Sequence, residues 1–194
     1  RRAWPMVAKK LRTGPDVFNW VTTDFSARDN VVVRGDVDGA TYFHDSAVSL
    51  FARMKLDDLS VLKYSDAGVN LYGNAILASS ALIAQNPKVV AAFLRASNRA
   101  IVETFANPAA AIAATRQREP ILNEAVELER WRITSQYVGA EDTRGHGLGD
   151  IRKLVLEQQV DDVAEVYALK SRPAADGIFN LSMLPPKGER MLKA

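Results

Sequence analysis

Three short segments hold the residue types best suited to gripping a small molecule. Tyr42, His44 and Asp45 lie between a strand-like run and a helix-like one. Together they offer an aromatic face, an imidazole that changes charge near neutrality, and a carboxylate. In an open α/β sheet, groups at the carboxyl ends of strands face the ligand crevice, and a helix start favours anionic or hydrogen-bonding ligand groups. The plainer alternative is that Asp45 only caps a helix while Tyr42 and His44 only pack. Arg2 and Trp4 stand beside Pro5 at another helix start. An arginine there could grip a carboxylate, sulfonate or phosphate, and a tryptophan a planar ring. Equally, Trp4 anchors the helix and Arg2 is solvated. Residues 64–68 and the run Tyr72-Gly73-Asn74 form a polar, glycine-marked junction, which is either a hinge or an ordinary turn.

Covalent and metal chemistry find little support. The chain has no Cys, no G-x-S-x-G elbow, no P-loop and no H-E-x-x-H helix. Its two histidines, His44 and His146, are far apart and give a weak metal signal. Glu124, Glu127 and Glu129 alternate with Arg118, Arg130 and Arg132, as on a solvated, salt-bridged helix face. Residues 145–149 are rich in glycine but follow no strand and carry no Lys-Ser/Thr, so they are not a phosphate loop. No catalytic residue, metal site or cofactor is therefore expected.

The elements that must position these groups change character along the chain. Pro5 suits the first turn of a helix with Val7 and Leu11 on one face, stopped by Gly14 and Pro15. Residues 17–22, 39–43 and 59–64 read as strands. Between them, Asp24 or Ser26 caps a helix through Val33, and Asp45 caps a helix over 46–55. Strands alternating with helices imply parallel pairing and a three-layer α/β lobe. After an extended run over 71–79, helices dominate. Asn86-Pro87 and Asn107-Pro108 each pair a cap with a first-turn proline. The first opens a long helix with Val90, Phe93, Leu94, Ser97 and Ile101 on its buried face. Further helices are expected over 123–138, over 151–159 behind Asp150, and from Asp161 or Asp162 to Leu169. A loop is expected over 139–149, and an extended tail over 178–186.

Composition bounds the rest. The 194 residues are 47% hydrophobic and 25% charged, which fits a folded domain and not a disordered chain. The 25 basic and 23 acidic residues are scattered, so no basic stripe favours nucleic acid. Apolar runs fall short of the ~20 residues that span a bilayer.

The order of these segments resembles one family. Arg2, Trp4 and Pro5, the run 34–39 (Arg-Gly-Asp-Val-Asp-Gly), the run 64–68 (Tyr-Ser-Asp-Ala-Gly), Leu71-Tyr72-Gly73-Asn74, and Asn86-Pro87 followed by 93–96 carry the likeness. It continues through Glu119-Pro120, the run 127–130, Tyr167, Ile178-Phe179 and Met183-Leu184-Pro185. The chain is similar to the substrate-binding proteins of ABC importers, in the branch serving nitrate, sulfonates, taurine and thiamine-pyrimidine precursors.

That resemblance implies a periplasmic-binding-protein type II-like α/β fold of two lobes clamping a ligand. Residues 1–73 would form the second lobe, and residues 74–194 a crossover strand and the C-terminal part of the first. The N-terminal part of the first lobe, with its signal peptide, would be absent here, so an upstream segment or companion chain would complete the cleft. The resemblance implies capture without catalysis, a membrane permease as partner and an extracytoplasmic location. Ligand contacts would come from Arg2, Trp4, Tyr42, His44, Asp45, Tyr72 and Asn74. A neutral His44 beside Asp45 suits a pyrimidine; oxyanions would want Arg2 and backbone N–H groups. The rivals are an enzyme of the same fold that makes the thiamine pyrimidine, and a degenerate binding domain kept for protein contacts.

Overall fold

The computed structural model of the protein describes residues 2–192. Ten α-helices lie among them: α1 (Trp4–Lys10), α2 (Arg28–Val33), α3 (Val48–Phe51), α4 (Ser80–Gln85), α5 (Pro87–Ala106), α6 (Pro108–Arg118), α7 (Glu124–Val138), α8 (Glu141–His146), α9 (Lys153–Val166) and α10 (Lys187–Arg190). No strand occurs among the described residues. The expected α/β fold, a two-lobe architecture of the periplasmic-binding-protein kind, is therefore corrected to an all-helical one. Residues 17–22, 39–43 and 59–64 are irregular. The physical reason is that β-branched and aromatic residues form strands only where a neighbouring strand takes up their N–H and C=O groups and a second layer covers one face. Here Val17, Phe18, Val21, Val61 and Leu62 all stay more than half exposed, so neither condition is met.

The contacts divide the chain into two compact units. One comprises the chain up to Gly73 with Lys153–Ile178; the other runs from Asn74 to Arg152 and resumes at Phe179. The first unit is built on α1. Pro5 lies in its first turn, where a missing N–H costs nothing, and Lys9 and Lys10 close it where positive charge suits the helix dipole. Trp4, Met6, Val7 and Ala8 are buried with Val69, and Trp20, Tyr64, Val163 and Val166 pack around them. Lys9 pairs with Glu165 on α9. Leu11 is left nearly half exposed, because α1 ends at Lys10 and the chain turns out through Arg12, at φ 55°.

The second unit packs α5 against α4, α6 and α10, and α6 against α7. Pro87 and Pro108 open α5 and α6 as expected, and the Asn107 side chain accepts from the Ala110 N–H at 3.1 Å, whereas Asn86 holds the cap position of α5 without a side-chain cap bond. Asn123 caps α7 in the same way through the Val126 N–H. Three expectations are adjusted. Phe93 is exposed and Asn98 takes its place on the buried face of α5. The expected loop over 139–149 contains α8. Helix α9 runs unbroken through Asp161 and Asp162, and Asp150 does not cap it, since its carboxylate accepts from the Ile151 N–H two residues before the helix begins.

Gly139 and Gly147 of this unit stand where a side chain would not fit. A Cβ on Gly139 would stand 2.8 Å from the Ser135 carbonyl and 2.9 Å from Phe105, whose ring meets Trp131 edge-on at 5.0 Å. Gly147 holds φ 98° and ψ 157°, a region open essentially to glycine alone. It lies against buried Arg190, whose guanidinium donates to the Leu148 carbonyl at 2.7 Å and to the Pro185 carbonyl at 2.9 Å.

Candidate functional site

The first unit gathers polar and aromatic groups around residues 25–53. Phe25 opens a 3-10 turn (Phe25–Ala27) that runs directly into α2, so Arg28 and Asp29 stand side by side at the helix start. A second 3-10 turn (Asp45–Ala47) leads into α3 and carries Ser46, with Ser49 one turn on. Tyr42 is joined to α2 at both ends of its ring. Its hydroxyl donates to Asp29 Oδ1 at 2.7 Å, and the Arg28 guanidinium lies 3.7 Å from the ring centre.

Arg28 does more than stack on Tyr42. Its Nη1 donates to the Thr41 carbonyl at 3.2 Å and its Nη2 to Ser46 Oγ at 3.3 Å. Its carbon also lies 4.4 Å from the centre of the Phe25 ring. The neighbouring Asp29 accepts a second hydroxyl, from Ser49, at 2.6 Å. Arg28 and Asp29 thus clamp the 41–49 segment onto α2, one by the faces of rings and one by hydroxyl tips.

The clamp sets the protonation of its members. Burial works to raise the Asp29 carboxyl, but the Ser49 and Tyr42 hydroxyls and the Arg28 and Arg53 charges outweigh it and hold the group below the ordinary aspartate value. Burial, then the bond to Asp29 and its charge, push the Tyr42 phenol up to about 12, with Arg28 pulling weakly the other way. At neutral pH the pair is a carboxylate and a neutral phenol.

The expected ligand residues fare differently. Tyr42, His44 and Asp45 are half-buried, and the last two open the second 3-10 turn. Asp45 makes no cap: the cap position is His44, whose side chain does not bond to the turn's N–H groups. Trp4 is buried in the core of the unit and its indole N–H donates to the Pro15 carbonyl at 3.0 Å. Arg2 is exposed. Tyr72 is half-buried, and its backbone N–H donates to Gln159 Oε1 at 3.1 Å. Asn74 is exposed and opens the second unit. The structure brings Tyr42 together with Phe25, Arg28, Asp29 and Ser49, none of which the motif reading singled out. An adjacent Arg-Asp pair looks in sequence like any solvated helix start; only contacts across 13 to 20 residues of chain distinguish it.

Among the described residues no cluster of His, Asp or Glu could hold a metal ion. No helix among them is long and apolar enough to cross a membrane.

The chain resembles known proteins over part of its length. The chain is 36% identical over 92 residues to the riboflavin-binding protein RibY of Chloroflexus aurantiacus. That match covers 41% of this chain and 26% of the relative, so it spans about a quarter of the relative's length. No solved structure matches. Residues 6–111 of the 194 match the NMT1/THI5-like family, a stretch that begins within α1 and contains the whole Phe25–Arg53 cluster, and the chain belongs to that family.

Proposed function

We propose that this protein is the solute-binding part of an importer and captures a small, planar nitrogen heterocycle outside the cytoplasm. The observation that carries the reading is that the family match spans the Tyr42 cluster, in a chain similar to a protein named for binding riboflavin. A thiamine-type pyrimidine and a flavin share a flat ring and an edge of hydrogen-bonding nitrogen and oxygen atoms. Such ligands need an aromatic surface and a few placed polar groups, which Tyr42, His44 and Asp45 supply. Arg2, Trp4 and Tyr72, of the same unit, complete the proposed contact set.

Sulfonate, taurine and nitrate rank lower. An oxyanion wants an arginine fork with open donors. Arg28 already spends its two terminal nitrogens on Thr41 and Ser46, and Arg53 Nη1 donates to Asn30 Oδ1 at 2.9 Å. We read the protein as a binder and not as a pyrimidine-making enzyme, since the similar protein is named as a binding protein. A membrane permease is the partner this role requires.

Native mass spectrometry of the purified chain, alone and with riboflavin, a thiamine-type aminopyrimidine, taurine or nitrate, tests the reading. Added mass from a ring compound supports it. Added mass only from the oxyanions, or from none of the four, contradicts it.

A further inference from the structure

We propose that Phe25 is a ligand-stacking residue and that Arg28 is the positioning residue that holds its ring, an inference that rests on the solute-binding reading above. Phe25 is 71% exposed, an unfavourable state for a benzyl side chain, yet it is not loose. The Arg28 guanidinium lies 4.4 Å from its ring centre and 3.7 Å from that of Tyr42. That guanidinium is itself pinned by the Thr41 carbonyl and Ser46 Oγ, and its Nε is buried without an acceptor. A planar cation fixed in this way serves as a rigid backing plate. The Phe25 ring keeps its orientation while much of its surface stays open to solvent. A ring held in place before the ligand arrives loses little freedom on stacking, which favours affinity.

Tyr42 is less suited to this task, because Arg28 lies over its ring and Asp29 takes its hydroxyl. The guanidinium is likewise directed to the two rings, the Thr41 carbonyl and the Ser46 hydroxyl and not to a ligand charge. A ligand resting on Phe25 would therefore be read by its flatness, and binding would change little with salt.

The test is a riboflavin titration of the whole chain, followed by quenching of flavin fluorescence. Phe25→Ala weakens binding roughly tenfold, the scale of one lost aromatic stack, while Phe25→Trp restores it. Arg28→Lys keeps the charge but loses the planar face, and weakens binding about as much as Phe25→Ala. The double variant is no weaker than either single one, because both remove one stack. Thermal melts show whether Arg28→Lys still folds; if it does not, the two Phe25 variants decide alone. If the unaltered chain binds riboflavin and Phe25→Ala binds equally well, the inference falls and the solute-binding reading stands. If the unaltered chain binds neither riboflavin nor an aminopyrimidine, the solute-binding reading fails and this inference with it.

Discussion

The Tyr42 hydroxyl donates to Asp29 Oδ1 at 2.7 Å, joining the 41–49 segment to α2 across 13 residues of chain. Asp29 has no sheet to hold it in place; it relies on the Tyr42 and Ser49 hydroxyls and the neighbouring arginines. Removing its charge while keeping its shape isolates that contribution. Asp29→Asn is expected to destabilise the first unit by about 1–3 kcal/mol, the range for hydrogen bonds to a charged partner. Denaturant melts of the variant and the unaltered chain measure it. An unchanged midpoint would show that the clamp contributes nothing to stability.

The same bond gives a pH signature at the alkaline end. The Tyr42 phenol is raised from 10.0 to about 12 in the folded chain. Between those values the unfolded chain has lost the proton and the folded one keeps it, so unfolding is favoured as pH rises. The stabilisation is complete below the unfolded value and is lost as pH climbs through the folded one. Tyr42→Phe removes this slope. Burial also raises the Tyr64 phenol, so ultraviolet titration of phenolate shows one fewer late-ionising tyrosine in Tyr42→Phe than in the unaltered chain.

Asp29 gives the opposite sign at low pH. Its folded carboxyl lies below the ordinary value, so its contribution is present above the unfolded pKa and fades as pH falls through the folded one. Acid melts of Asp29→Asn are therefore less steep with pH than those of the unaltered chain.

Trp4 offers a separation of packing from ligand contact. The ring is only 5% exposed and its N–H serves Pro15. Trp4→Ala is expected to cost about 3–5 kcal/mol through the cavity it leaves. Trp4→Phe keeps most of the volume and costs about 1 kcal/mol for the donor lost to the Pro15 carbonyl. Melts and ligand titrations of Trp4→Phe run side by side tell the roles apart. Loss of binding at unchanged stability would make Trp4 a ligand contact first.

In the second unit, Gly147 and Arg190 form one structural device. Gly147→Ala is expected to destabilise by about 1–3 kcal/mol because its backbone region excludes a side chain. The added Cβ would also stand 3.3 Å from Arg190 Nη1. Arg190→Met leaves the buried Leu148 and Pro185 carbonyls without their charged donor, at a cost of about 3 kcal/mol. Thermal melts measure both.

What the sequence made legible follows from how local each signal is. Asn107-Pro108 and Asn123 announce helix starts because cap and first turn lie within four residues of each other. Strand propensity has no such closure: residues 17–22 and 59–64 carry the right side chains, but a strand exists only where a partner does. Helix α4 begins just past the run over 71–79 that reads as extended, and the Ser79 side chain, accepting from the Leu82 N–H at 3.1 Å, marks its start. At the site, the aromatic–acidic run of Tyr42, His44 and Asp45 stands out by composition. Phe25, Arg28 and Asp29 do not, because what makes them notable is contact with residues far along the chain.

The measurement that bears most directly on the central claim is equilibrium dialysis of the 194-residue chain against riboflavin, with nitrate and taurine as competitors. Saturable binding of riboflavin, undiminished by either oxyanion, is the predicted result. Riboflavin displaced by nitrate or taurine, or retention of neither riboflavin nor, in a parallel run, a thiamine-type aminopyrimidine, would contradict the claim that this family member captures a planar heterocycle.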